Sequence, residues 1–276
     1  MLDFIKSFLL KNNIDLAGAI KLSECHLTRP YKLKGFKEDE YPSLSVIIFA
    51  IPYLARYDEK NISAYAVPRD YHLFSKKLFE ELSDALKSSY PTSRFECFAD
   101  NSPIDERHAA ALCGLGMLGD NGLLITEKYS SYVFLGEIIT DYPIESESKE
   151  IKHCLKCSKC QLACPMGSIG ECLSSLTQKK GELSNADSSA IKKYSCAWGC
   201  DICQEVCPYT LRAKRTGSIY TDVEFFKEEL IPVLTSERLQ SMSDEEFSQR
   251  AYSWRGRNTI LRNLKIIENN TEDKEK

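Results

Sequence analysis

The stretch C-L-K-C-S-K-C-Q-L-A-C-P, residues 154–165, decides how this chain is read. Its cysteines, Cys154, Cys157, Cys160 and Cys164, stand at x2-x2-x3 spacing, and Pro165 follows the last. A second run, C-D-I-C-Q-E-V-C-P, places Cys200, Cys203 and Cys207 ahead of Pro208. Cys172 and Cys196 lie between the runs, while Cys25, Cys97 and Cys113 are scattered. Three thiolates at x2-x2 spacing can wrap three corners of one iron–sulfur cubane. A fourth, before proline, is carried away to a neighbouring cubane.

Two such runs predict two 4Fe–4S clusters that share ligands crosswise, the arrangement of bacterial ferredoxins. Cluster one takes Cys154, Cys157, Cys160 and Cys207. Cluster two takes Cys164, Cys200, Cys203 and either Cys172 or Cys196. The alternative is structural zinc, because four-cysteine zinc sites also use C-x2-C pairs. Zinc sites seldom combine x2-x2 spacing with a fourth cysteine at x3 before proline, and here the pattern nearly repeats. The chain has 12 cysteines. Where thiols are kept reduced, such clustering means metal rather than disulfides. Two clusters in one module sit close enough to relay electrons, so the module supplies current to something else.

The remaining composition is ordinary. The 276 residues are 43% hydrophobic and 28% charged, enough for one large domain or two small ones with a sizeable core. A net charge of −4 argues against a bulk electrostatic grip on nucleic acid. No stretch approaches the roughly eighteen uninterrupted apolar residues of a membrane span. The opening M-L-D-F-I-K-S-F-L-L-K-N-N reads as an amphipathic helix with acid in its first turn and no cleavage site, so no secretory signal is expected. A cytoplasmic protein with no membrane partner is the expectation.

Residues 14–21 and 43–54 read as buried strands, short, apolar and bounded by turn residues. Residues 70–88 predict a helix that Asp70 can cap, with Phe74, Leu78, Leu82 and Leu86 on one face. Strands are expected at 94–99, 122–126 and 131–139, and a helix at 105–113. This mix suggests an α/β layer over residues 1–150. Short helices and loops then form the cluster module at 151–215, and a helical segment follows at 216–276, with acidic E-D-K-E-K fraying at its end. The whole is α+β.

Asp100 closes a predicted strand, and strand ends in α/β sheets are where ligands bind. Spacing alone favours a blander role, in which Asp100 or Ser102 caps the helix after Pro103. The glycine-rich G-L-G-M-L-G-D-N-G (114–122) does not follow a strand in the dinucleotide pattern, so its glycines read as tight turns near a large ligand. Arg69-Asp70-Tyr71-His72 reads as a solvated helix start. Arg250, Arg255, Arg257, Arg262 and Lys265, interleaved with Tyr252 and Trp254, suit RNA contacts, though such a stretch is usually a solvated helix face.

Taken together these segments resemble the epoxyqueuosine reductase family, iron–sulfur and cobalamin enzymes of tRNA modification. The stretches that carry the resemblance are Y-A-V-P-R-D-Y-H (65–72), A-D-N-S-P-I-D-E-R (99–107), G-L-G-M-L-G-D-N-G-L-L-I (114–125), S-Y-V-F-L-G-E-I-I-T-D (131–141), the two cysteine runs, C-L-S-S-L (172–176) and R-G-R-N-T-I-L-R-N (255–263). They run in family order from about residue 45. The resemblance implies a base-off cobalamin between the α/β corrinoid-binding-type domain and the cluster module, with Asp100, Arg69 and Asn121 in its pocket. It makes Cys172 the eighth cluster ligand, leaving Cys196 as an extra thiol. It also makes Asp100 the catalytic acid of a reductase that turns an epoxide on a modified tRNA base, in the queuosine pathway, into an alkene with loss of water. Electrons come from an external low-potential donor of ferredoxin or flavodoxin type.

The chain departs from the family pattern in places. Family G-W-x-G-K-N is G-M-L-G-D-N here, so Met117 replaces tryptophan and Asp120 replaces lysine. Pro68 replaces a glycine, residues 24–42 shorten a longer segment, and the loop from Cys164 to Cys172 is shorter. A helical-repeat extension that many members carry has no counterpart in these residues. The departures touch the substrate and corrinoid pocket more than the cluster module. Two other readings are a corrinoid iron–sulfur reductase with another substrate and a non-catalytic two-cluster electron carrier.

Overall fold

S-V-I-I-F-A-I-P, residues 45–52, is buried at every position, as a strand covered on both faces must be. In the computed structural model, which describes residues 1–146, 148–167 and 172–269, this strand is central to the sheet. Helix α1 (Leu2–Lys11) and strand β1 (Leu16–Lys21) precede it, and the run itself is β2 (Ser45–Pro52). Then come α2 (Tyr71–Ser89), β3 (Phe95–Phe98), α3 (Glu106–Leu112), the short strands β4 (Met117–Leu118) and β5 (Leu124–Ile125), and β6 (Val133–Thr140). The main sheet has order β1-β2-β6-β3, and each neighbouring pair is antiparallel.

That pairing corrects the α/β layer expected for residues 1–150. A parallel layer needs a crossover helix between neighbouring strands. Between β1 and β2 the chain makes only short 3-10 turns and returns antiparallel. The architecture is α+β, and the rule that ligands sit at the ends of parallel strands does not apply to Asp100.

The two sheet faces part the apolar residues. Val46, Ile48, Ile20 and Ile139 pack with Ala109, Ala110 and Ala111 of α3. On β2 the intervening Phe49 sets its ring edge-on to Phe79 of α2, 6.1 Å between centroids. Phe49 lies opposite Gly136, where a Cβ would meet the Phe49 ring at 2.5 Å, so only glycine admits it. Helix α2 buries Leu78, Leu82 and Leu86, as the i, i+4 stripe predicts, with Phe74 half-buried. Asp70 accepts from the His72 backbone N–H at 3.0 Å and so caps α2.

Downstream lie α4 (Lys159–Leu162), α5 (Leu173–Thr177), α6 (Asn185–Tyr194), α7 (Ile202–Glu205), α8 (Pro208–Thr216), α9 (Ser236–Ser241), α10 (Asp244–Ser248) and α11 (Arg257–Glu268). Ser184, Thr235 and Ser243 cap α6, α9 and α10 through their side-chain oxygens. Trp198, Tyr252, Leu234, Ile260 and Leu264 form the core there, and Trp198 donates its indole N–H to Tyr65 at 2.8 Å. The acidic end expected to fray, E-D-K-E-K, lies outside the described residues.

The described chain divides into two units that do not follow sequence order. The first comprises Met1–Tyr53, Phe74–Lys156 and Arg212–Val223; the second comprises Leu54–Leu73, Cys157–Leu211 and the described chain from Glu224. No helix among the described residues is long and apolar enough to cross a membrane.

Candidate functional site

The backbone curls along the first cysteine run, where the chain passes from the first unit to the second. Lys156 and Ser158, on either side of Cys157, adopt left-handed φ angles of 50° and 58°. Helix α4 carries Cys160 and packs against α7, which carries Cys203. Cys172 stands at the N-cap of α5. Its thiol is pushed up by burial, while the Ser174 N–H draws it down and the nearby Cys200 and Cys164 raise it further. Three predicted ligands of cluster two, Cys164, Cys172 and Cys200, are therefore neighbours. Cys196 is buried with Leu173, Leu176 and Ile191 and donates to the Gly199 carbonyl at 2.6 Å.

Asp201 ties this thiol segment to residues 60–64. It is buried and accepts from the Ser63 hydroxyl at 2.5 Å, the Ala64 N–H at 2.6 Å and the Lys60 ammonium at 2.8 Å. Burial alone would lower the Lys60 pKa, but Asp201 and Glu205 hold its charge in place and the net shift is upward. In the sequence, nothing but its place in C-D-I-C marks Asp201.

Cys154 belongs to the first unit. The β4–β5 turn, closed by Gly122 N–H to Gly119 carbonyl at 2.9 Å, lies against it. Cys154 donates its N–H to the Leu118 carbonyl at 3.0 Å, and its Sγ accepts from the Asp120 N–H at 3.4 Å. The glycine-rich segment is thus a tight turn beside a thiol. Among the described residues, no three His, Cys, Asp or Glu side chains converge as a single ion requires. A cubane spreads its ligand sulfurs more widely than one zinc ion does, so a thiol-only donor set on curled backbone fits iron–sulfur clusters.

The first unit also holds the acid turn. Asp100 and Asn101 follow β3 with left-handed φ angles of 61° and 51°, and Asp100 Oδ1 accepts from the Asn101 N–H at 2.8 Å. Asp100 is exposed. Ser102 is buried, donates to Glu137 Oε2 and accepts from the Ile104 N–H at 3.1 Å. The cap of α3 is Asp105, which accepts from the His108 N–H at 3.3 Å. Neither Asp100 nor Ser102 caps that helix, because two left-handed residues and Pro103 delay its start to Glu106.

Two acids that sequence reasoning passed over lie beside the turn. Burial, then the Asp100 charge, pushes Glu106 up to about 7. Burial and Glu106 push Glu137 well above the usual carboxylate range, against the pull of the Ser102 hydroxyl. The available signal was a glutamate inside the apolar strand F-L-G-E-I-I.

Other expected residues are held locally. Asn121 is buried and accepts from the Leu123 N–H at 3.3 Å in the first unit. Arg69, in the second unit, pairs with Glu229 at 3.2 Å and Glu228 at 3.6 Å and lies over the Phe225 ring. A corrinoid rim is fringed with neutral amides; the side-chain amide of Asn121 and the charge-compensated guanidinium of Arg69 are each, taken singly, chemically able to meet one. The basic segment is mostly internal bracing rather than an RNA-facing stripe. Buried Arg250 donates to the Glu229 carbonyl, Arg257 to the Leu239, Met242 and Ser243 carbonyls, and Arg262 to the Lys179 and Gly181 carbonyls. Lys265 and Trp254 are exposed, with Arg255 stacked 3.9 Å from the indole.

Comparison with known proteins bears on this arrangement. The family model described as Epoxyqueuosine reductase QueG, DUF1730, matches residues 42–101. The chain is 34% identical to the epoxyqueuosine reductase of Gloeobacter violaceus over 74% of this chain and 68% of that one. The chain belongs to the epoxyqueuosine reductase family. The Lactococcus garvieae epoxyqueuosine reductase is 29% identical over 94% of this chain and 80% of its own. A crystal structure of epoxyqueuosine reductase with a tRNA-Tyr epoxyqueuosine-modified tRNA stem loop superimposes with a TM-score of 0.72, at 25% identity, covering 97% of this chain and 81% of that one. As an epoxyqueuosine reductase family member the chain is an oxidoreductase, and the mixed helix-and-sheet fold is the family's.

Proposed function

We propose that this chain reduces the epoxide of an epoxyqueuosine-modified tRNA to the alkene, holding two 4Fe–4S clusters and a base-off cobalamin. Residues 1–150 serve the corrinoid and substrate, 151–215 the clusters, and 216–276 form a C-terminal helical segment. The observation that carries the reading is the closeness of Cys164, Cys172 and Cys200 in a chain of this family. Cys154, Cys157, Cys160 and Cys207 are the ligands of cluster one; Cys164, Cys172, Cys200 and Cys203 are those of cluster two.

The overall reaction takes two electrons and two protons and releases water. When bound, the corrinoid and clusters supply the electrons, drawn from an external low-potential donor in the cytoplasm. The chain supplies position and a proton. Asp100 stands on a turn whose backbone is pinned by Ser102, and it gives a proton to the departing oxygen. Asn121 and Arg69 border the corrinoid.

The test is turnover by anaerobically reconstituted protein. Given a chemical reductant and an epoxyqueuosine-containing stem loop, it should yield a nucleoside lighter by one oxygen atom. Fully loaded protein that leaves the epoxide intact would refute the substrate.

A further inference from the structure

Three buried carboxyl oxygens of the first unit have no hydrogen-bond donor among the described residues: Oε2 of Glu96, Oε1 of Glu106 and Oε1 of Glu137. The last two belong to acids beside the Asp100 turn. Glu137 is 0% exposed, on a strand whose partner positions are Ile48 of β2 and Phe98 of β3. Its other oxygen, Oε2, accepts from Ser102, itself 2% exposed. Ser102 in turn receives the Ile104 N–H, so one hydroxyl fixes both ends of the turn after Asp100.

Leaving both carboxylates ionised while each keeps one buried oxygen without a donor is too costly to persist. The missing donor is a proton that one of them keeps, as happens when two carboxyls share a site. We propose that Glu106 and Glu137 form a proton-sharing pair that acts as a positioning element, holding the Asp100 turn through Ser102. The proposal rests on the reading of Asp100 as the acid of the reaction.

The surroundings set the sense of the pH response. Asp105 and Asp100 add negative charge, Arg107 and Arg29 add positive charge at Glu106, and the buried Cys25 thiol faces Glu137. Burial is the first cause of the upward shift for both glutamates. Loss of the shared proton places two like charges in the dry site. They then separate, and the Ser102–Glu137 bond that ties the Asp100 turn to β6 gives way.

The test uses the reconstituted full chain. Infrared spectra of protein labelled at glutamate carboxyls should show a protonated-carboxyl band at pH 7 that the E106Q/E137Q double variant lacks. Wild-type protein without that band at pH 7 overturns the shared proton.

Glu137→Gln keeps an acceptor for Ser102 and cannot ionise. Its kcat should stay within a factor of about three of wild type, with a flatter alkaline limb. Glu137→Leu removes the acceptor and should lower kcat at least about tenfold at unchanged KM. Ser102→Ala removes the donor of the same hydrogen bond with less disturbance and should repeat that loss if Glu137→Leu fails to fold. Equal loss in Glu137→Gln and Glu137→Leu, or no loss in Ser102→Ala, overturns the positioning role. Asp100→Asn is assayed alongside. Full turnover there refutes the acid role of Asp100, while the infrared result still decides the pair.

Discussion

The backbone N–H of Asp120 donates to the Sγ of Cys154 at 3.4 Å. Asp120 stands where the family pattern has lysine, yet the contact is made by the main chain, so the substitution leaves it intact. Hydrogen bonds to cluster sulfurs raise reduction potential by stabilising added negative charge. Asp120 occupies the second position of the turn closed by Gly122 and Gly119, where proline is tolerated. Asp120→Pro should therefore keep the turn, lose the donor and make one cluster potential more negative, while Asp120→Asn leaves it unchanged. Potentiometric titration followed by electron paramagnetic resonance reads both; identical potentials in the two variants would remove the donor's role.

Asp201 carries more of the second unit than its exposed neighbours do. Removing one partner from a buried, hydrogen-bonded ion pair costs about 3–5 kcal/mol. Asp201→Ala strands Lys60 and the Ser63 hydroxyl, so thermal unfolding should show a loss of that order and iron should fall. Asp201→Asn keeps part of the network and should lose less. A melting curve like wild type in Asp201→Ala would contradict this account of how residues 60–64 are held to the cysteine run.

Asp100→Asn keeps the shape of the turn and removes the proton donor. Positioned acids contribute about 10²–10⁴-fold. Turnover should fall by that range with iron and corrinoid content unchanged, as single-turnover assays and metal analysis can show together.

Stability should depend on pH through Glu106. Its folded value of about 7 stands above the ordinary 4.5, so the folded chain keeps a proton that the unfolded chain releases. The contribution is fully present below 4.5 and is lost as pH rises through about 7. Melting temperature of wild type should fall between about pH 5 and pH 8 relative to E106Q/E137Q. Parallel curves would mean that the carboxyls do not titrate differently in the two states.

What could be read in advance follows from how local each signal is. Strand β2 and helix α2 were legible because an unbroken apolar run and an i, i+4 stripe are properties of a few adjacent residues. The antiparallel sheet order was not, since it depends on pairing between β2 and β6, more than eighty residues apart. Asp201 was hidden for the same reason, with Ser63 138 positions away. Arg250, Arg257 and Arg262 read as a solvated face or as RNA contacts because spacing does not reveal whether a guanidinium meets water, phosphate or the chain's own carbonyls. Glu106 and Glu137 become unusual only when a helix and a strand bring their charges within reach of each other and bury one oxygen of each.

The central claim is that the two cysteine runs hold a pair of cubanes. Protein prepared without oxygen and supplied with cobalamin should contain about eight irons, matching sulfide and one cobalt per chain, since each cubane holds four irons. Zinc in place of iron, with no acid-labile sulfide, would contradict it.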